Sequence, residues 1–312
     1  YFVKKMKKIV IGTRGSKLAI YQANFVKSKL EIAYPTLEVV INIIKTKGDK
    51  ILDIALSKID DKGFFTKEIQ DALYKNEVDI AVHSLKDLPT KLTEGTQLGA
   101  ILERANHRDV LVSTDGKKLV DFTSKDKIAT SSLRRKSQLI QLNKDVQVVE
   151  IRGNIDTRIR KMQNGYCQGM IMAAAGIERL GLQEHISEYF NETQMLTAPG
   201  QGAIAIEIRE KDNEILKLLS ALNHNESAIC VAAERSFLNR LDGGCQIPFA
   251  AHATIEGNIL TIEGMVSTLD GREMQKEKIK GNIKDAIQLG IDLANSIKKN
   301  GCLLYTSPSP RD

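Results

Sequence analysis

"TAPGQGAIAIEIRE", residues 197–210, decides how the rest of the chain is arranged. Pro199, Gly200 and Gly202 give a backbone that turns, and a strand pattern rich in isoleucine follows at once. Such a stretch is either a return crossing between two bodies or a hinge. Which bodies it would join is read from the flanking sequence.

Upstream, two series of strands and helices run in tandem. In the first, "KKIVIGTR" reads as a strand, and "SKLAIYQANFVKSKL" as a helix capped by Ser16 with Leu18, Tyr21, Phe25 and Leu30 near one face. "LEVVINIIKT" is a strand. "FFTKEIQDALYKN" is a helix capped by Thr66, with Phe65, Ile69, Ala72 and Leu73 on its apolar stripe, and "VDIAVHS" is a strand. In the second series the strands are "DKIATSS", "VQVVEIR" and "GMIMAAA", and the helices "LRRKSQLIQL", "NIDTRIRKMQNG" and "GIERLGL". This order predicts two α/β lobes, each a mostly parallel sheet covered by helices, with a cleft between them. Downstream the pattern changes. After the helix "ESAICVAAERSFLNRL", the turns "EGN" and "LDG" separate short alternating runs, which predicts an antiparallel meander and a closing helix in a small α+β domain.

Composition narrows the function classes. Hydrophobic residues are 42% and charged residues 27%, an ordinary balance for a globular chain. No apolar run reaches the ~18–20 residues of a membrane span, and the start shows no signal peptide. Met6 is read as the natural start and 302–312 as a non-native tail. The net charge of +6 is mild, and aromatics are 5% with no Trp, so no stacking platform for nucleic acid is expected. Cys167, Cys230, Cys245 and Cys302 form no C-x-x-C pair, which points to free thiols in a reducing, cytoplasmic compartment. The five histidines are scattered in sequence and predict no metal site.

The basic residues gather where strands end and helices begin. Arg14 and Ser16 follow the first strand, and Lys86 and Asp87 follow "VDIAVHS". Ser131, Ser132, Arg134 and Arg135 sit at the next junction, then Arg152 and Asn154, with Arg158 a turn further on. Ligands of open α/β sheets bind beyond the carboxyl ends of the strands, helix N-termini favour anions, and guanidinium forks fit carboxylates or phosphates. The pattern therefore predicts a cleft for a polyanion. Asp87 is a carboxylate among the bases His83, Lys86, Arg134 and Arg135. It could accept hydrogen bonds, stabilise a developing cation or shuttle a proton. His83 reads as a structural histidine. Cys245 stands on the loop "GGCQIP", where glycine lets a partner approach, so it suits a nucleophile or a covalent attachment point; Cys167 and Cys230 read as inert.

Seven stretches carry a family resemblance: "TRGSKLAIYQA", "DIAVHSLKDLPT", "TSSLRRKSQL", "IRGNIDTRIRKM", "AAAGIERLGL", "APGQGAIAIE" and "GGCQIPFAAHA". In this order, over about residues 7–300, the chain resembles the porphobilinogen deaminase (hydroxymethylbilane synthase) family. The resemblance implies two lobes similar to type II periplasmic binding proteins, with the chain crossing twice between them. It places domain 1 at 7–102 with 201–222, domain 2 at 103–200, and a third, α+β domain carrying the cysteine loop at 223–301. It implies a transferase of heme and other tetrapyrrole biosynthesis that condenses four porphobilinogen molecules head to tail with loss of ammonia and releases hydroxymethylbilane by hydrolysis. It also implies a monomer with neither nucleic-acid nor membrane partners.

Residue by residue, Cys245 matches the family's thioether attachment point for a dipyrromethane cofactor, a thiolate that captures the azafulvene formed as ammonia leaves. Asp87 matches the catalytic aspartate. Arg14, Ser16, Lys86, Ser131, Ser132, Arg134, Arg135, Arg152, Gly153, Arg158, Arg179 and Gln201 match positions that hold cofactor and substrate. Each pyrrole carries an acetate and a propionate, so a growing chain needs many cationic forks. Lys58 and Lys62 match a mobile loop over the cleft. This loop departs from the family's glycine-rich form by reading "SKIDDKGFF", with Asp60 and Asp61 beside the two lysines.

Overall fold

A computed structural model describes residues 8–46, 66–241 and 247–300. In chain order it runs β1 (Lys8–Thr13), α1 (Lys17–Ala33), β2 (Glu38–Ile43), α2 (Lys67–Tyr74), β3 (Ile80–Ser84) and β4 (Thr96–Ile101). Then come β5 (Asp109–Ser113), β6 (Lys127–Ala129), α3 (Leu133–Leu142), β7 (Gln147–Val149), α4 (Ile155–Gln163), β8 (Gly169–Ala173), α5 (Ala174–Arg179) and β9 (Ile186–Tyr189). The last part holds β10 (Ile204–Arg209), α6 (Asn213–Leu219), α7 (Asn225–Arg240), β11 (Phe249–Glu256), β12 (Ile259–Ser267), β13 (Met274–Asn282) and α8 (Ala286–Asn300).

These elements form two compact units. The described residues up to Ala105 with Gly202–Ala228 make the first, and Asn106–Gln201 with the described residues from Ile229 onward make the second. The first holds a five-stranded sheet in the order β2-β1-β3-β10-β4, in which β1 pairs parallel with β2 and β3 while β10 runs antiparallel to β3 and β4. The stretch at 197–210 is thus a return crossing: its strand enters the middle of the first sheet. All of β10 from Ile204 to Ile208 is buried, as expected for a strand covered on both faces.

The second unit repeats the plan. Its sheet order is β7-β6-β8-β5-β9, with β6 parallel to β7 and β8 and with β5 antiparallel to β8 and β9. Each sheet therefore has one reversed strand in the fourth place, supplied by the segment that crosses from the other unit. This is the two-lobed α/β architecture that the tandem βα order predicts. Strands β4, β5 and β9 carry no clear pattern in the sequence, and β5 is the reversed strand of the second sheet.

The meander is present as β11-β12-β13, paired antiparallel throughout and backed by α7 and α8. This layer is fastened to the second lobe. Ala251 N donates to Thr197 O at 3.0 Å, and the buried Glu234 on α7 accepts from Gly200 N at 2.7 Å and from Ala253 N at 2.8 Å. Gly271, in the turn before β13, has φ +70°, and a Cβ there would come within 2.7 Å of Ser137 O on α3. Only glycine allows that approach, and Gln141 seals it with a bond to Gly271 O.

Two local expectations are corrected. Helix α1 buries Gln22, Ala23, Val26 and Leu30, whereas Tyr21 and Phe25 are exposed and stack on each other with centroids 6.4 Å apart. The seated row is the one at i, i+3 and i+7 from Ala23, whose small side chain lets the helix lie close to the sheet. Thr66 does precede α2, but it makes no side-chain cap; its carbonyl accepts from Ile69 N and Gln70 N instead. Phe65 lies outside the described residues.

Candidate functional site

In the first unit the candidate residues stand where β1 and β3 end. Ser16 caps α1 as expected, its Oγ accepting from Ala19 N at 3.3 Å. Arg14 is half-buried between β1 and this cap. After β3 the chain makes a 3-10 turn over Leu85–Asp87. Its buried Leu85 donates from N to Ala203 O at 3.1 Å, and Leu88 N closes the turn on Leu85 O. Anchored at Leu85, the turn presents Lys86 and Asp87 outward, both exposed. Among the described residues the Asp87 carboxylate accepts no hydrogen bond. His83 is structural, as expected: it is buried, with Nε2 3.0 Å from Glu207 Oε2. Glu207 also accepts from Thr96 Oγ1 at 2.6 Å and from Gln70 Nε2 at 2.8 Å. Burial alone would raise its pKa, but these donors and His83 hold it below the usual carboxylate range.

In the second unit the carboxylate held by Arg134 and Arg135 is Asp109, a residue that the strand-end pattern does not single out. Arg134 Nη1 donates to Asp109 Oδ2 at 2.6 Å and to Leu196 O at 2.8 Å. Arg135 donates to Asp109 Oδ1 from Nε at 3.1 Å and from Nη2 at 2.8 Å, and to Ile171 O from Nη1 at 3.1 Å. Gln201 adds Nε2 to Asp109 Oδ1 at 2.9 Å and to His107 O at 2.7 Å. Burial opposes ionisation of Asp109, yet the two guanidiniums hold its carboxyl far below the ordinary range. A charged residue opening the apolar run "DVLVS" was the available signal, because a buried charge needs partners.

The neighbouring residues divide by what they already bond. Ser131 Oγ donates to Ile151 O at 2.6 Å, bridging the ends of two strands, and Ser132 caps α3 through Arg135 N at 3.4 Å. Gly153 has φ +115°, and a Cβ there would meet Thr157 Cγ2 at 2.8 Å; its carbonyl accepts from Arg158 Nε at 2.6 Å. Arg179 ends α5, half-buried. Arg152 differs from all of these. Its Nε and Nη2 are buried and have no hydrogen-bond partner. A guanidinium so placed costs free energy until an acceptor reaches it.

Two histidines expected to be scattered are brought together. The rings of His107 and His252 stack with centroids 3.8 Å apart, and His107 Nε2 lies 2.8 Å from Glu192 Oε1. Cys167 and Cys230 are buried and held in no disulfide, and burial pushes the Cys167 thiol up to about 11, in keeping with inert roles. Cys245, Lys58 and Lys62, with Asp60 and Asp61, lie outside the described residues.

Comparison with known proteins gives one family. Residues 9–217 match the model of the porphobilinogen deaminase dipyromethane cofactor binding domain, and residues 228–299 that of the porphobilinogen deaminase C-terminal domain. A porphobilinogen deaminase of Syntrophomonas wolfei is 48% identical over 95% of this chain and 97% of its own length. One from Desulfitobacterium hafniense is 46% identical over 96% of each chain. Among solved structures, a TRAP periplasmic solute binding protein from Desulfovibrio salexigens has a TM-score of 0.44 at 12% identity, covering 70% of this chain and 73% of that one. A double mutant of the VFT2 domain of Bordetella pertussis BvgS has a TM-score of 0.43 at 13% identity, covering 75% and 93%.

Proposed function

The chain belongs to the porphobilinogen deaminase family, and on that premise we propose which of its residues perform the family's reaction. The enzyme is a transferase, a hydroxymethylbilane synthase of tetrapyrrole biosynthesis. It condenses four porphobilinogen molecules head to tail with loss of ammonia, then releases the product with water.

When bound, the dipyrromethane supplies the pyrrole end on which new units are added. The donors at the carboxyl ends of the strands fit such a group. Arg152, half-buried as a residue but with two guanidinium nitrogens buried and unpartnered, is the observation that carries this reading. A carboxylate arm provides the acceptor that Arg152 lacks, in the planar geometry a guanidinium prefers.

Both bonds of Arg134 leave from Nη1, so its Nε and Nη2 are available to a second carboxylate. Arg14, Ser16, Lys86, Ser132, Gly153, Arg158 and Arg179 hold further carboxylates, and so do Lys58 and Lys62. Arg135, Gln201 and Ser131 act differently: their bonds to Asp109 and to the backbone fix the walls of the site. Asp87 is the catalytic carboxylate. Presented on its anchored turn, it accepts hydrogen bonds from pyrrole N–H groups, stabilises the positive charge that develops as ammonia departs, and passes a proton to the leaving amine. Cys245 anchors the cofactor through a thioether. We further place the enzyme in the cytoplasm as a monomer of three functional domains, 7–102 with 201–222, 103–200 and 223–301. Cys167 and Cys230, held in no disulfide, suit a reducing compartment.

The test is intact mass with turnover. Purified protein should carry the mass of one dipyrromethane, and Cys245→Ser should lack it; an unchanged adduct in that variant would move the attachment elsewhere. Asp87→Ala should stay folded and turn over no substrate, and normal turnover would refute its role. Arg152→Leu should lose about 10- to 100-fold in turnover, the range set by one hydrogen bond to a charged group. In the Cys245→Ser background, where no cofactor arm reaches Arg152, the unfolding midpoint of Arg152→Leu should stay or rise, because a guanidinium with two buried, unpartnered nitrogens is removed.

A further inference from the structure

We propose that His107, Glu192 and His252 form a binding site for a divalent transition-metal ion of the zinc class, which ties the C-terminal layer to the second lobe. The three residues come from separate segments of one compact unit: the loop before β5, the turn after β9, and the middle of β11. Their donor atoms all lie within 4.8 Å of one another. A tetrahedral zinc ion with bonds of ~2.0–2.1 Å holds its donors roughly 3.3 Å apart, so small side-chain rotations complete the set. Two imidazoles and one carboxylate are a nitrogen-rich, borderline donor set. It suits zinc, cobalt or nickel and fits poorly with calcium or magnesium, which take oxygen.

A second, independent observation points to a ligand here. His252 is 7% exposed, and its Nδ1 is buried without a hydrogen-bond partner. Glu234 Oε1 stands 3.5 Å from this nitrogen and already accepts from Ala253 N, while Glu234 Oε2 accepts from Gly200 N. A buried ring nitrogen is rarely left in that condition.

The surroundings also resemble the outer shell of metal sites, in which carboxylates and amides orient the ligands. Gln201 Nε2 donates to the His107 carbonyl oxygen at 2.7 Å and so holds the segment that carries this ligand. Metal capture breaks the ring stack, turning both imidazoles about χ2, and replaces the 2.8 Å contact between His107 and Glu192 with two metal bonds. The resulting clamp acts on β11, which begins four residues after Cys245.

The experiment uses purified full-length protein and cobalt(II) alone as the probe, read by absorption and by thermal unfolding. The expected result is one equivalent bound, with the d–d bands of nitrogen and oxygen ligands and without the thiolate-to-cobalt charge transfer of a cysteine site. Zinc should displace the cobalt, and saturation should raise the unfolding midpoint by about 5 °C. His107→Gln, at a half-buried position, should weaken binding about 100-fold with the fold intact, and His252→Gln should do the same. No stoichiometric binding, a thiolate band, or unchanged affinity in His107→Gln would overturn the proposal; unchanged affinity in His107→Gln does so even if His252→Gln fails to fold. Because metal binding is read directly, failure here leaves the catalytic assignment untouched.

Discussion

Glu207 and Asp109 are both buried carboxylates on the one reversed strand of a five-stranded sheet, β10 in the first unit and β5 in the second. Their partners are of different kinds. Glu207 is met by an imidazole, a hydroxyl and an amide, whereas Asp109 is met by two guanidiniums and an amide. Their heights in the sheets differ as well. Asp109 opens β5 opposite Ala173, the last residue of β8, at the carboxyl edge of the parallel strands. Glu207 faces Ala81, near the amino end of β3. One plan thus uses the same kind of group for two purposes. At the edge where ligands gather, a carboxylate disciplines cations; away from that edge, it holds strands together.

Breaking the ionic member should cost more. Asp109→Asn leaves two guanidiniums buried side by side without a counter-charge. Removing one partner of a buried ion pair destabilises by about 3–5 kcal/mol. A fall of that size in the urea unfolding free energy is expected, together with reduced cofactor loading by intact mass. A loss below about 1 kcal/mol, the net worth of an ordinary hydrogen bond, would show that the arginines find other acceptors and that the contrast with Glu207 is empty.

The first unit should respond less, and with a different dependence on pH. Glu207→Gln removes a charge whose three neighbours are not guanidiniums. Hydrogen bonds to an ionised group contribute about 1.5–3 kcal/mol. Because the folded-state pKa of Glu207 is depressed, its stabilisation is present in full above the unfolded value, near 4.3 for glutamate, and is lost as pH falls through the lower folded value. The stability gap between the wild type and Glu207→Gln should therefore be widest near neutral pH and shrink on acidification below about 4.3. A gap that widens in acid would mean that the charge opposes folding.

How far this contrast could be read in advance is set by where the partners lie. Alternating strands and helices, the closing meander, the Ser16 cap and the return strand after Gly202 are local patterns, and all are visible in short windows. Strand β5 was hidden because "DVLVS" starts with a charge whose partners come 25 and 26 residues later. The arginines could be placed at strand ends from spacing alone. Which of them were already committed could not, because that depends on Asp109. Arg135 and Arg152 look alike in sequence, yet one is clamped and the other has unpartnered nitrogens. The pairing of His107 with His252 has the same cause, since only the packing of β11 on the second lobe joins them.

The smallest effect belongs to a pair of matching serines, and it separates fold from function most cleanly. Ser16 caps α1 after β1, and Ser132 caps α3 after β6, with cap bonds of 3.3 and 3.4 Å. Replacing either by Ala should cost about 1 kcal/mol, the usual value of a side-chain N-cap. That loss does not say whether the hydroxyl also meets a ligand. Aspartate does, because it caps as well as serine and favours the helix dipole, while its charge repels an acidic substrate. Ser16→Asp and Ser132→Asp should therefore keep the wild-type unfolding midpoint and raise KM for porphobilinogen. If KM is unmoved at one of the two positions, the serine there serves the helix alone, and the two carboxyl edges differ in function as their carboxylates differ in kind.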